Sequence, residues 1–144
     1  MEWFTFDELC DSAKAKELGI QNVPTAEIKK RLRLLVDKVL DPARNAFGKP
    51  ITVDSGYRCE RLNKAVNGAK KSQHLRGEAA DIKASNIADN KIIFDIIAQL
   101  GNYDQLIWER GNDHFPAWVH VSYREPARNE MLRTDDGKNY YKIK

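Results

Sequence analysis

The chain changes its hydrophobic period along its length, and this limits what it can fold into more than any other feature. Ile28, Leu32, Leu35 and Val39 recur every three or four residues, as do Ile92, Ile93, Ile96, Ile97 and Leu100. That spacing makes an apolar stripe on a helix. Between Trp118 and Tyr123 the period falls to two. Val119, Val121 and Tyr123 alternate with Trp118, His120 and Ser122, as on a strand with one buried face. Helices that come first and strands that gather late point to an α+β fold, a small antiparallel sheet packed with helices.

Local signals set the expected boundaries. An N-terminal arm, with a short helix near Asp7, ends at Pro24. Thr25 is a helix cap, with Glu27 in the first turn. Asp41-Pro42 is expected to cap and start a separate short helix that ends near Gly48. Residues 51–53 and 79–82 read as short strands and residues 59–65 as a helix. Asn86 should cap the next helix and Gly101 should stop it. Residues 103–109 and 118–123 read as an antiparallel hairpin across a loop rich in Gly, Asn, Asp and Pro. Residues 139–143 are expected to add an edge strand. No repeat or low-complexity tract divides the 144 residues, so 1–144 reads as a single domain, large enough to bury a core unaided.

Charge excludes some partners. The net charge is +3, with no Lys/Arg block and no basic stripe interleaved with aromatics, so no nucleic-acid partner is expected. No apolar run reaches the length of a membrane span. The first residues carry neither a basic region nor an apolar core of the signal-peptide kind. Synthesis in the cytoplasm without a signal peptide is the expectation, and a monomer is the expected state. Cys10 and Cys59 lack a CxxC spacing and read as reduced thiols.

The chemistry concentrates in two stretches. In Ser72-Gln73-His74-Leu75-Arg76-Gly77-Glu78-Ala79-Ala80-Asp81, a strand at 79–82 puts Ala79 and Asp81 on one face, and a turn at Gly77 lets His74 return over Asp81. In Trp118-Val119-His120-Val121-Ser122-Tyr123, His120 projects from the face opposite the valines. Imidazole and carboxylate together suit a divalent metal, zinc above all. Two histidines and one aspartate leave a fourth position for water, which is the catalytic rather than the closed arrangement.

These segments, with Asp54-Ser55-Gly56-Tyr57-Arg58 and Tyr103-Asp104-Gln105-Leu106-Ile107-Trp108-Glu109, resemble the M15 family of zinc D,D-peptidases, most closely its M15A-like branch of small phage and bacterial enzymes. The likeness runs from about Phe4 to about Arg128. It implies the compact α+β fold shared with the hedgehog signalling domain, one zinc ion on His74, Asp81 and His120, and a peptidoglycan peptide as substrate, often cut next to a D-amino acid. It also implies that Arg58 and Ser72 hold a substrate carboxylate or carbonyl. A guanidinium suits that role because it binds a carboxylate through two parallel hydrogen bonds.

One family position differs. Several branches place a general-base Glu three residues before the last histidine ligand, and here that residue is Ala117. Glu109, on the strand paired with that of His120, is the favoured replacement. His114, in the connecting loop, is the second candidate as base or oxyanion stabiliser. Glu78 reads as surface or supporting, and Gln73 and Trp118 as further groove residues. Two readings follow: a D-Ala-D-Ala carboxypeptidase or endopeptidase acting on the wall after release, a phage lysis enzyme in a phage setting, or a zinc-containing wall-binding module that does not cleave.

Overall fold

A computed structural model of the protein describes residues 1–143. Two short helices, α1 (Phe6–Cys10) and α2 (Ala13–Leu18), open the chain. Thr5 and Glu8 form a reciprocal capping box on α1, which satisfies two orphan backbone donors. Thr25 caps α3 (Ala26–Leu35) as expected, its hydroxyl accepting from Ile28 N. The inner face of α3 carries Ile28, Leu32 and Leu35 into the core.

The separate helix expected from Asp41 does not form as such. The chain stays helical through a π turn (Val36–Leu40) into α4 (Asp41–Phe47), and Asp41 is itself helical, with φ −63° and ψ −46°. Pro42 gives the physical reason. It has no N–H, and its ring clashes with the carbonyl four residues back. A wider turn relieves the clash, and the freed Lys38 carbonyl accepts from Asn102 Nδ2 at 3.1 Å. The Asp41 carboxylate instead accepts from Glu2 N at 2.7 Å and Trp3 N at 3.1 Å, which fastens the N-terminus to this helix.

Helix α5 (Glu60–Ala65) follows strand β1 (Thr52–Ser55). Strand β2 (Ala79–Lys83) leads to α6 (Ile87–Leu100), which Asn86 caps and Gly101 ends. The buried stripe of α6 is Asn90, Ile93, Phe94 and Ile97, whereas Ile92 and Leu100 stay half-exposed. The apolar run is broader than the face that meets the core. Asn90 is a tie: its Oδ1 accepts from Ala84 N at 2.7 Å, and its Nδ2 donates to the carbonyls of Pro116 and Ala117.

Strands β3 (Gln105–Glu109), β4 (Trp118–Ser122), β5 (Glu130–Thr134) and β6 (Tyr140–Lys142) complete a six-stranded sheet in the order β1-β2-β4-β3-β5-β6. The hairpin β3–β4 and the edge strand β6 match expectation. Strand β5 adds something unforeseen, because it pairs parallel to β3, with Ile107 opposite Leu132 and Glu109 opposite Thr134. The sheet is therefore mixed, with one parallel pairing among antiparallel ones. One face buries Ile82, Leu106, Trp108, Val119 and Val121 against the helices. Each such side chain contributes about 1.5–3 kcal/mol on burial. The other face carries the polar groups.

Candidate active site

Register decides which groups meet on the polar face. Asp81 lies directly opposite His120 in the β2–β4 pairing, and Ile107 lies opposite His120 on its other side. Glu109 is paired with Trp118. Directly paired residues share a face, so Asp81, His120 and Glu109 all project where the valines of β4 do not. His120 Nδ1 is 3.0 Å from Asp81 Oδ1.

His74 reaches the same place from a 3-10 turn (Gln73–Arg76). Ser72 starts the turn, its Oγ accepting from His74 N at 3.2 Å. Gly77 ends it at φ +73°, where a Cβ would press on Ile28 of α3. His74 Nδ1 is 2.7 Å from the Gly56 carbonyl. A carbonyl can only accept, so Nδ1 carries the proton and Nε2 keeps its lone pair. That lone pair faces Asp81 Oδ2 at 3.5 Å. A side chain at Gly56 would collide with the Leu9 carbonyl, which already accepts from Tyr57 N at 2.8 Å. The small residue lets its own carbonyl come in under His74.

The electrostatics favour a cation. Burial works against the charge on Asp81, but His74 and His120 outweigh it and hold the carboxyl well below the usual range. Burial lowers the His74 pKa, against the pull of Asp81, so the neutral, metal-ligating imidazole is favoured. The donor atoms of His74, Asp81 and His120 all lie within 4.8 Å of one another. Tetrahedral zinc with bonds of 2.0–2.2 Å needs donors about 3.3–3.5 Å apart. The 3.0 and 3.5 Å separations to Asp81 are close to that, so the residues fit zinc with little rearrangement.

The other expected residues divide. Arg58 is half-buried, and its backbone N donates to the His74 carbonyl at 3.1 Å. Burial lowers its pKa while Asp81 supports its charge, and its buried Nε has no hydrogen-bond partner. Glu109 is 8% exposed, and burial pushes its carboxyl up to about 7 despite the nearby His120. His114 is exposed on the loop, and its described contacts are to Asn112 and Phe115. Glu78 points elsewhere, accepting from Arg76 Nε at 2.8 Å.

A groove of about 600 Å³ runs from His120 over β3 and β5, with Ser72 and Gln73 on one side and Ile107, Leu132 and Tyr140 among its other lining residues. Tyr140 escaped sequence reasoning because only the unforeseen β5 carries β6 to this face. Burial, with Glu109 and Asp81 close by, raises its phenol pKa. Asp104 escaped too. It is wholly buried, and it accepts from Arg128 N, Nε and Nη2 and from Gln73 Nε2. Polar residues spaced this far apart give no periodic signal.

A buried histidine and a half-buried one sharing one aspartate, with an acid of raised pKa on the next strand, form a donor set of the kind found in metal-dependent hydrolases. The pattern of the peptidase M15 family matches residues 2–122. The chain belongs to that family, and its His74, Asp81 and His120 form a group that could hold a metal ion. A zinc D-Ala-D-Ala carboxypeptidase from Streptomyces albus G is 46% identical over 48 residues. The matched stretch is 33% of this chain and 19% of that relative's length. No helix among the described residues is long and apolar enough to cross a membrane.

Proposed function

We propose that the protein removes a terminal D-Ala from peptidoglycan stem peptides, acting as a zinc D,D-carboxypeptidase. The observation that carries this reading is Arg58. A half-buried guanidinium beside Asp81, with a buried donor that has no partner, suits a substrate that ends in a free carboxylate. Arg58 binds that carboxylate, and Ser72, whose hydroxyl proton has no acceptor among the described residues, steadies the neighbouring carbonyl.

His74, Asp81 and His120 hold the metal in this reading. Zinc at that position supplies Lewis acidity, which polarises a carbonyl and brings the pKa of water to about 7. Glu109 is the general base. Its carboxylate takes the proton of the attacking water and delivers it to the leaving amine nitrogen. A pKa near 7 suits both halves of that exchange. Because β3 and β4 are paired, Glu109 can serve where Ala117 has no carboxylate. Action on the wall after release, including as a phage lysis enzyme, is the setting in which such a reaction is useful.

The test is to incubate the zinc-loaded protein with stem peptides ending in D-Ala-D-Ala and with cross-linked dimers, and to follow the products by mass spectrometry. Release of one D-Ala by the wild type, and not by His120→Ala, is the expected result. Splitting of dimers alone would replace the carboxypeptidase reading with an endopeptidase. Binding without any cleavage, at stoichiometric zinc, would favour the wall-binding module, a reading kept open by Ala117.

A further inference from the structure

The groove beside the His74, Asp81 and His120 cluster carries more positive charge than the carboxylates around it use. Lys71, Arg76, Arg124 and Arg128 line it. Arg76 is committed to Glu78 at 2.8 Å. Arg128 is committed to Asp104 through Nε and Nη2, at 3.0 and 2.8 Å. Burial opposes the charge on Asp104, but the Arg128 hydrogen bonds outweigh it and hold its pKa at about 2, so that pair is complete at neutral pH. Glu130 accepts from Gln105 at 2.6 Å and Glu125 from the Tyr123 hydroxyl at 2.8 Å.

Two cations remain. Arg124 touches Asp104 only through Nε, at 3.5 Å, with its side chain 40% exposed. A guanidinium has five donors, and the terminal amino groups of Arg124 have no hydrogen-bond partner among the described residues. Lys71 is exposed, and no carboxylate pairs with it among the described residues. Asp104 is buried, and its 3.5 Å ion-pair contact draws the Arg124 guanidinium toward it through Nε while the terminal amino groups face away from that contact. Two cations with spare donors on one groove make a site for an anion.

Its position gives it a meaning. Arg58 follows β1, at one edge of the strand order, whereas Arg124 follows β4 and Lys71 precedes the His74 turn, and both line the groove that extends from His120 across β3 and β5. We infer that Arg124 and Lys71 form a second carboxylate subsite, which selects peptides bearing an acidic residue on the N-terminal side of the bond cut. The inference rests on the peptidase reading for the direction of the peptide, and on the groove alone for the anion.

The test uses two peptides that end in D-Ala-D-Ala and differ at one upstream residue, which carries either a free carboxylate or the corresponding carboxamide. Metal-free protein is titrated with each by NMR, and the zinc-loaded protein is assayed for kcat/KM on each. The expected result is a preference of roughly five- to tenfold for the carboxylate, as a charge-assisted hydrogen bond on a partly exposed site provides. Lys71→Gln with Arg124→Gln should bring the ratio close to one and flatten its salt dependence. Lys71→Gln alone, at an exposed position, should lower the ratio without any effect on folding. Equal binding of the two peptides by the wild type, or a preference that survives the double substitution, overturns the inference. If no peptide is cut, the peptidase reading fails, while the NMR ratio still decides whether the anion subsite exists.

Discussion

The two ends of the polar sheet face are built differently. At the end that carries His74, Asp81 and His120, side chains are oriented by a second group: Gly56 O sets the His74 tautomer, and Asp81 sits between two imidazoles. At the other end, β6 is exposed along its whole length, and Tyr140 is 47% accessible. The family match stops at residue 122, so β5 and β6 lie beyond it. The contrast teaches a division of labour. Chemistry needs groups fixed to a fraction of an ångström by buried partners. Recognition of a long, flexible substrate can be carried by half-exposed side chains on an edge.

Substitutions should respect that division. The largest effect is expected from His120→Ala, with loss of stoichiometric zinc by elemental analysis and of all turnover. Survival of either would break the contrast at its base. Glu109→Gln comes next. It should keep its zinc while kcat falls roughly 10²–10⁴-fold, the usual weight of a general base. The same variant has a stability signature. The Glu109 carboxyl is raised to about 7 in the folded protein against about 4.3 unfolded. Its stabilising contribution is therefore complete below about pH 4 and lost as pH rises through 7. Metal-free Glu109→Gln, which cannot ionise, should gain in Tm on the wild type between pH 5 and pH 8. An equal Tm difference at both pH values would contradict the burial argument.

Asp104 joins the two ends, because it ties Gln73, next to His74, to Arg128 at the approach to β5. Asp104→Asn should cost roughly 1.5–3 kcal/mol by denaturant titration, since the lost bonds are charge-assisted but Arg128 is partly exposed. Its pKa is depressed to about 2 against about 3.9 unfolded. The stability it contributes is complete above about pH 4 and drains away as pH falls toward 2. The smallest effect is expected at the edge: Tyr140→Phe should leave zinc content unchanged and alter KM by no more than about threefold, the scale of one exposed neutral hydrogen bond. A large fall in kcat there would move Tyr140 into the chemistry and erase the contrast.

What the sequence revealed follows the same line. Alternation at 118–123 put His120 on the face opposite the valines, and pairing across the hairpin carried Glu109 with it, because both are local, period-two signals. Thr25, Asn86 and Gly101 were readable because caps act within one turn. The π turn was not, since Pro42 is equally suited to start a separate helix, and the Lys38 carbonyl it frees finds its donor in Asn102, far along the chain. Strand β5 was not, because Glu130–Thr134 has no strict alternation and draws its order from a parallel neighbour. Asp104, Arg124 and Tyr140 took their roles from that same long-range arrangement.

X-ray absorption at the zinc edge tests the central claim most directly. The account predicts one zinc per chain, bound by two imidazole nitrogens and one carboxylate oxygen at about 2.0–2.2 Å with a fourth light ligand, a spectrum that loses one imidazole or disappears in His120→Ala. A sulfur ligand near 2.3 Å, from Cys10 or Cys59, or a spectrum unchanged by His120→Ala, would contradict it.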